Sequence, residues 1–274
     1  MVRTIHTLLV LVTFCFASAL WSRSAAGQEF RVYTRVAQAA PGDKAVDARM
    51  PLARSTTLFH AGKAYDYLDS SGEITVFEPT HDKFWLVSPA RKERTTVSFS
   101  EIETRLHQAS KRAERFLLEE RTRGTSDSAA LVALVETQLR PNLRESLSAD
   151  GKTLKLESPV MTYQATLSKS PDTAMVGAYA RYVDWTARLN FVLYPKSTPP
   201  APRLMLNAAL VRHSSFPMTV RLEIHQQAPL ILEATHQFEW KLSSTDRRQV
   251  QQWEQALVDP SYKAVSFDAF RRAK

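Results

Sequence analysis

The sequence predicts an α+β protein, an antiparallel sheet with helices packed on it. Three observations predict this. Residues 55–100 (STTLFHAGKAYDYLDSSGEITVFEPTHDKFWLVSPARKERTTVSFS) alternate apolar and polar side chains in short runs broken by turn residues. Directly after them the apolar spacing changes from two to the helical three and four. Strand-like alternation then returns after residue 143 and again after residue 217, with helical patterns between.

The first strand is expected over residues 29–38, where Phe30, Val32, Thr34 and Val36 alternate with Arg31, Tyr33 and Arg35. Residues 39–53 carry Pro41, Gly42 and Pro51 and are expected to form a loop. The meander follows as strands 56–60, 63–68, 73–77, 83–87 and 91–99. Its connections are so short that neighbouring strands must run antiparallel, since a parallel pair needs a long crossover.

Ser100, Glu101, Ile102 and Glu103 match a capping box, so a helix is expected from Glu101 to about Arg123, ended by Gly124. Its apolar stripe is Ile102, Leu106, Ala109, Ala113, Phe116 and Leu117. A second helix should start near Asp127 or Ser128 and stop before Pro141, which lacks an amide hydrogen and clashes with the preceding turn. Strands at 143–148 and 153–157 form a hairpin around Ala149-Asp150-Gly151-Lys152, and 160–167 adds a third.

Ser170 and Pro171 suggest the start of a long helix whose buried stripe includes Tyr179, Tyr182, Trp185 and Leu189. A shorter helix spans 203–212. Residues 171–212 therefore read as a helical insertion between two β sections of one domain, residues 27–274. A hairpin of strands 217–226 and 230–242 follows, then a helix capped by Ser244 or Thr245. Val265, Phe267 and Phe270 equip the tail to dock on the body.

The ends and the composition narrow the setting. Residues 1–26 read as a secretory signal peptide: Arg3 and His6, an apolar run over 8–20, then small residues to Ala26. That run falls short of the ~20 residues a bilayer span needs. Export to the periplasm or medium is expected. Cys15 is the only cysteine and would leave with the signal, so the mature chain would have no disulfide, thiolate metal site or cysteine nucleophile. The net charge of +8 drops by the two arginines Arg3 and Arg23 on cleavage. The remaining basic residues are interrupted by acids, as in KRAERFLLEERTR, which is a solvated mixed face and not a nucleic-acid surface.

Several chemistries lack their signatures. Seven glycines, none clustered before a helix, provide no phosphate-cradling loop. There is no G-x-S-x-G elbow and no H-E-x-x-H pair. No cofactor is expected. His81 beside Asp82 in a turn reads either as a pH-tuned pair or, more simply, as solvated side chains. His236 differs, because strand parity sets it among Leu232, Phe238 and Trp240. It is either a polar group that orients a ligand in an apolar cavity or an ordinary hydrogen-bonded core histidine. Trp85 joins His236, Phe238 and Trp240 as candidate cavity lining, although core packing is the usual role of such rings.

An export signal, a meander with the runs GKAYDYL and EITVFEP, a helical cover and later hairpins together resemble the lipoprotein-carrier (LolA-like) superfamily. The resemblance spans residues 29–242 as pattern, and the helical segment 171–212 departs from the simple carrier. It implies a strongly curved sheet, an incomplete β-barrel, closed by helices over an apolar cavity that holds an acyl chain. The function expected on this basis is non-enzymatic binding of a lipid or other apolar small molecule. The alternatives are an envelope protein-interaction module and a hydrolase built around His81 or His236.

Overall fold

The computed structural model describes residues 29–40, 51–194, 197–226 and 229–273. The expected signal peptide, most of the 39–53 loop and Pro195 lie outside these residues. Among them, twelve strands form one open, curved sheet, an incomplete barrel of α+β class as the sequence predicts.

The sheet is built in two runs that meet at strand β1 (Phe30–Ala39). One run is the meander β2 (Ala53–His60), β3 (Lys63–Leu68), β4 (Glu73–Glu78), β5 (Lys83–Ser88) and β6 (Glu93–Ser98). Each strand pairs antiparallel with the one before it. The turn between β2 and β3 shows why the spacing is so tight. Ala61 and Gly62 both have positive φ, 49° and 77°, the geometry that matches the twist of a two-residue hairpin.

The chain then leaves the meander through α1 (Phe99–Arg123) and α2 (Ser126–Leu139) and arrives at the opposite edge of the sheet. There β7 (Arg144–Leu147), β8 (Thr153–Glu157) and β9 (Met161–Lys169) build inward. Helices α3 (Thr173–Leu193) and α4 (Ala201–Arg212) separate β9 from its own neighbour, β10 (Ser215–Ile224). Strand β11 (Leu230–Glu239) pairs with β10 and with β1, which joins the two runs. Helix α5 (Ser244–Val258) follows, then β12 (Lys263–Ala264), parallel to β6, and α6 (Phe267–Arg272).

Five helix starts are shifted from the sequence expectation; among them α4 begins at Ala201, two residues before 203, and Ser243, not Ser244 or Thr245, caps α5. Ser98, not Ser100, caps α1, and its side chain accepts from the Glu101 amide at 3.1 Å. Strand β6 ends at Ser98, so the first residue free to cap lies two positions earlier than the box suggests. Thr125 caps α2 in the same manner, two or three positions before the expected start. Asp172 caps α3 through the Ala174 amide at 2.8 Å, which leaves Ser170 and Pro171 outside the helix.

The two faces of the sheet are covered by different helices. On the inner face Phe30, Phe59, Phe77, Phe84 and Phe216 pack against Val176, Tyr179, Tyr182 and Leu189 of α3. Phe267 and Phe270 of α6 enter the same cluster, so the tail docks as its sequence suggests. Farther along the inner face Leu154, Leu156, Tyr163 and Val220 meet Leu206, Ala209 and Leu210 of α4. The outer face of the meander is covered by α5, with Trp253 and Leu257 against Leu58, Tyr65, Val76 and Val87. Outside β7 to β10 the same face is polar, and Arg144, Lys155, Glu157, Thr162 and Glu223 border an open trough of about 740 Å³.

Candidate functional site

A polar strip crosses the inner face over β3, β2, β1 and β11. Register fixes its members. Asp66 pairs with Thr57, Thr34 pairs with Ser55 on one side and with His236 on the other, and directly opposed residues share a face. Thr57 and Asp66 share the face of Ala64 and Phe59, while Thr34 shares that of Phe30 and Val32. A polar row of Asp66, Thr57, Ser55, Thr34 and His236 thus runs under α3.

Within the row Thr57 Oγ1 donates to Asp66 Oδ1 at 2.6 Å, and Ser55 and Tyr182 also bond to that carboxyl. Burial raises the Asp66 pKa more than these hydrogen bonds lower it. His236 is 7% exposed. Its Nδ1 lies 3.0 Å from Thr34 Oγ1, and its Nε2 is buried with no hydrogen-bond partner. Burial, assisted by the Arg203 charge, pushes the imidazole pKa down to about 3. His236 is therefore neutral across the physiological range.

The cover over this strip is polar too. From α4, Arg203 Nε donates to Asn207 Oδ1 at 3.0 Å, and Asn207 Nδ2 donates to Asp184 Oδ1 of α3 at 2.7 Å. Asn207 is 1% exposed, so these bonds satisfy a fully buried amide. Arg203 also bonds to the Tyr179 hydroxyl, and its charge acts on His236, Tyr163 and Tyr179.

The four residues singled out in the sequence divide between the two faces. His236, Phe238 and Trp240 lie together on the inner face, as strand parity predicts. Phe238 and Trp240 stack at 5.4 Å, and Phe216 touches both, at 4.8 and 5.1 Å. Tyr179 closes on Phe238 at 5.6 Å, so the two rings form a packed aromatic wall beside the strip. Trp85 is on the opposite face. It pairs with Val76 while its neighbour Phe84 pairs with Phe77, and it packs against the α5 cluster. Its indole donates to Glu78 Oε2 at 3.2 Å, and it borders a trough of about 600 Å³ with Arg94, Thr96 and Leu257.

Glu78 is the centre of a second buried polar group. Lys63, Lys83 and His81 place their nitrogens 3.1, 3.3 and 3.2 Å from its carboxylate. Burial alone would raise its pKa, but Lys63, Trp85 and Lys83 outweigh that and hold it at about 2. Lys63 also donates to Glu254 of α5 at 2.9 Å, and the Tyr65 hydroxyl donates to the same carboxylate oxygen. The His81 side chain is largely exposed, as the solvated-turn reading has it, and its ring nitrogen faces Glu78, not Asp82. Asp82 instead adopts a left-handed conformation (φ 48°) after the short turn Pro79–His81.

What the inner arrangement can do follows from its protonation. A base with a pKa of about 3 is too weak to activate the Thr34 hydroxyl near neutrality, so the pair is poorly suited to nucleophilic catalysis. A neutral imidazole held by one nitrogen can hydrogen-bond a ligand with the other. Among the described residues no group of three or more His, Cys, Asp or Glu is placed to hold a metal, and no helix is long and apolar enough to cross a membrane.

Thr34 and the Arg203–Asn207–Asp184 relay carry no motif in the sequence, and Asp66, with Asp69 at a strand end, has none that marks an acid/base pair. Alternation within residues 63–68 already sets Asp66 on the face of Ala64, and Arg203 and Asn207 are four apart on one helix face. No known family model and no curated protein matches this chain.

Proposed function

We propose that this is an exported, non-enzymatic binding protein for an amphipathic ligand, such as a lipid or acyl chain with a polar head. The ligand lies against the inner face under α3 and α4. The chain is on this reading a divergent relative of the lipoprotein carriers, working in the periplasm or outside the cell. One observation carries the reading: the unpartnered Nε2 of His236 within an apolar, helix-covered wall. An unmet buried polar group costs roughly 1–3 kcal/mol, so it is costly in a finished core and useful in a site. The polar interface between the strip and the helices supports the same reading, because ligand groups can replace such hydrogen bonds. The test is to purify the protein from the envelope of its own host and extract it for mass spectrometry. A stoichiometric amphiphile is expected; protein that is reproducibly ligand-free and takes up no added amphiphile contradicts the proposal.

A second reading, an envelope interaction module, is favoured by a different surface. Leu118 of α1 is 62% exposed and Leu131 of α2 is 39% exposed. Cross-linking in intact envelopes would support it by a partner that attaches through α1 and α2 and is lost in Leu118→Glu.

A further inference from the structure

Among the described residues, two groups where the inner face meets helix α4 have no direct carboxylate partner. One is His236 Nε2. The other is the Arg203 guanidinium. It is tied to Asn207 and Tyr179, while Asp184 is reached through Asn207 and not by a direct ion pair. Burial also raises the Asp184 pKa, which weakens the one carboxylate in the relay as a counter-charge. We infer that Arg203 and His236 together seat an anionic headgroup, a carboxylate or phosphate carried on an apolar chain. The inference rests on the amphiphile-binding reading and adds the chemistry of the head.

The geometry suits that role. In the tautomer in which the Thr34 hydroxyl donates to Nδ1, the imidazole proton is on Nε2, which is then a donor held in place. The guanidinium is a planar fork that matches carboxylate and phosphate oxygens. One permanent positive charge and one neutral donor then meet a single negative charge. The aromatic wall adjoins the seat directly: Phe238 is within ring contact of both His236 (6.3 Å) and Tyr179 (5.6 Å). A headgroup bound here would thread its chain along that wall.

The experiment compares three probes on the mature protein by calorimetric titration below their micellar concentrations: oleate, oleoyl lysophosphatidate and oleyl alcohol. At least one acid is expected to bind about tenfold or more tightly than the alcohol, the scale of one charge-assisted hydrogen bond. The tighter of the two acids identifies the head as carboxylate or phosphate. In Arg203→Gln the preference should collapse while alcohol binding is unchanged. If Arg203→Gln does not fold, His236→Phe, which keeps the ring volume, should weaken the acids and spare the alcohol. Equal affinity for acids and alcohol in the wild type overturns the headgroup seat but leaves the amphiphile reading intact. Failure of all three probes to bind overturns both.

Discussion

Glu78 and His236 are buried to the same extent, each 7% exposed, on opposite faces of one sheet. Glu78 is charged and fully engaged: two lysines, the His81 ring and an indole N–H surround its carboxylate. His236 is neutral and half engaged, with one nitrogen on Thr34 and the other on nothing. The difference separates two uses of buried polarity. A saturated cluster fixes elements to each other, here β3, β4 and β5 to α5 through Lys63 and Glu254. An unsaturated group in an apolar wall adds little to the fold and is available to a ligand.

The largest expected effect tests whether the inner wall is also the structural core. Phe216 is fully buried and contacts Phe30, Tyr179, Phe238 and Trp240. Phe216→Ala should cost about 3–5 kcal/mol in chemical denaturation. A cost below about 1 kcal/mol would mean that this wall is loosely packed.

The next effect belongs to Glu78. Its folded-state pKa of about 2 lies below its ordinary 4.5, so its contribution is fully present above pH 4.5 and lost as pH falls towards 2. The shift corresponds to roughly 3 kcal/mol as an upper figure. Glu78→Gln should lower stability at pH 7 by up to that amount and flatten the acid limb below pH 4.5. An unchanged pH profile would show that the cluster is not the weld described above.

The smallest effect on stability at pH 7, within about 1 kcal/mol, is expected for His236→Phe, which removes both a hydrogen bond and an unmet polar atom. Its signature lies in pH. The folded-state pKa of about 3 is below the ordinary 6.5, so the unfolded chain takes up the proton first. Stability is then full above pH 6.5 and falls by at most about 1.4 kcal/mol per pH unit down to pH 3. His236→Phe should remove this slope between pH 6.5 and 4.5, a window in which Glu78 is silent. Persistence of the slope would assign it to another group.

Much of the fold is legible in the sequence because its signals are local. Alternation and turn residues mark β3 at residues 63–68 and β8 at 153–157 where the structure has them, and Gly124 marks the end of α1. The join of β1 to β11, and the parallel contact of β12 with β6, bring together residues that no local pattern connects. The site divides along the same line. Parity places His236 with Phe238 and Trp240, since they follow one another at alternate positions along β11 and the residue just after it. It does not relate their face to that of Trp85, which depends on the register of six strands from β11 to β5. The bare Nε2 is equally hidden, because Thr34, which holds the other nitrogen, lies 202 positions away.

The central claim is that an amphiphile occupies the inner face. The most direct measurement is photo-cross-linking with a diazirine-bearing fatty acid, followed by peptide mapping. Label is expected on β1, β11 and α3 near Thr34, His236 and Tyr179, with competition by unmodified oleate. Competable label confined to the outer face beside Trp85, or to the exposed leucines of α1 and α2, would contradict it.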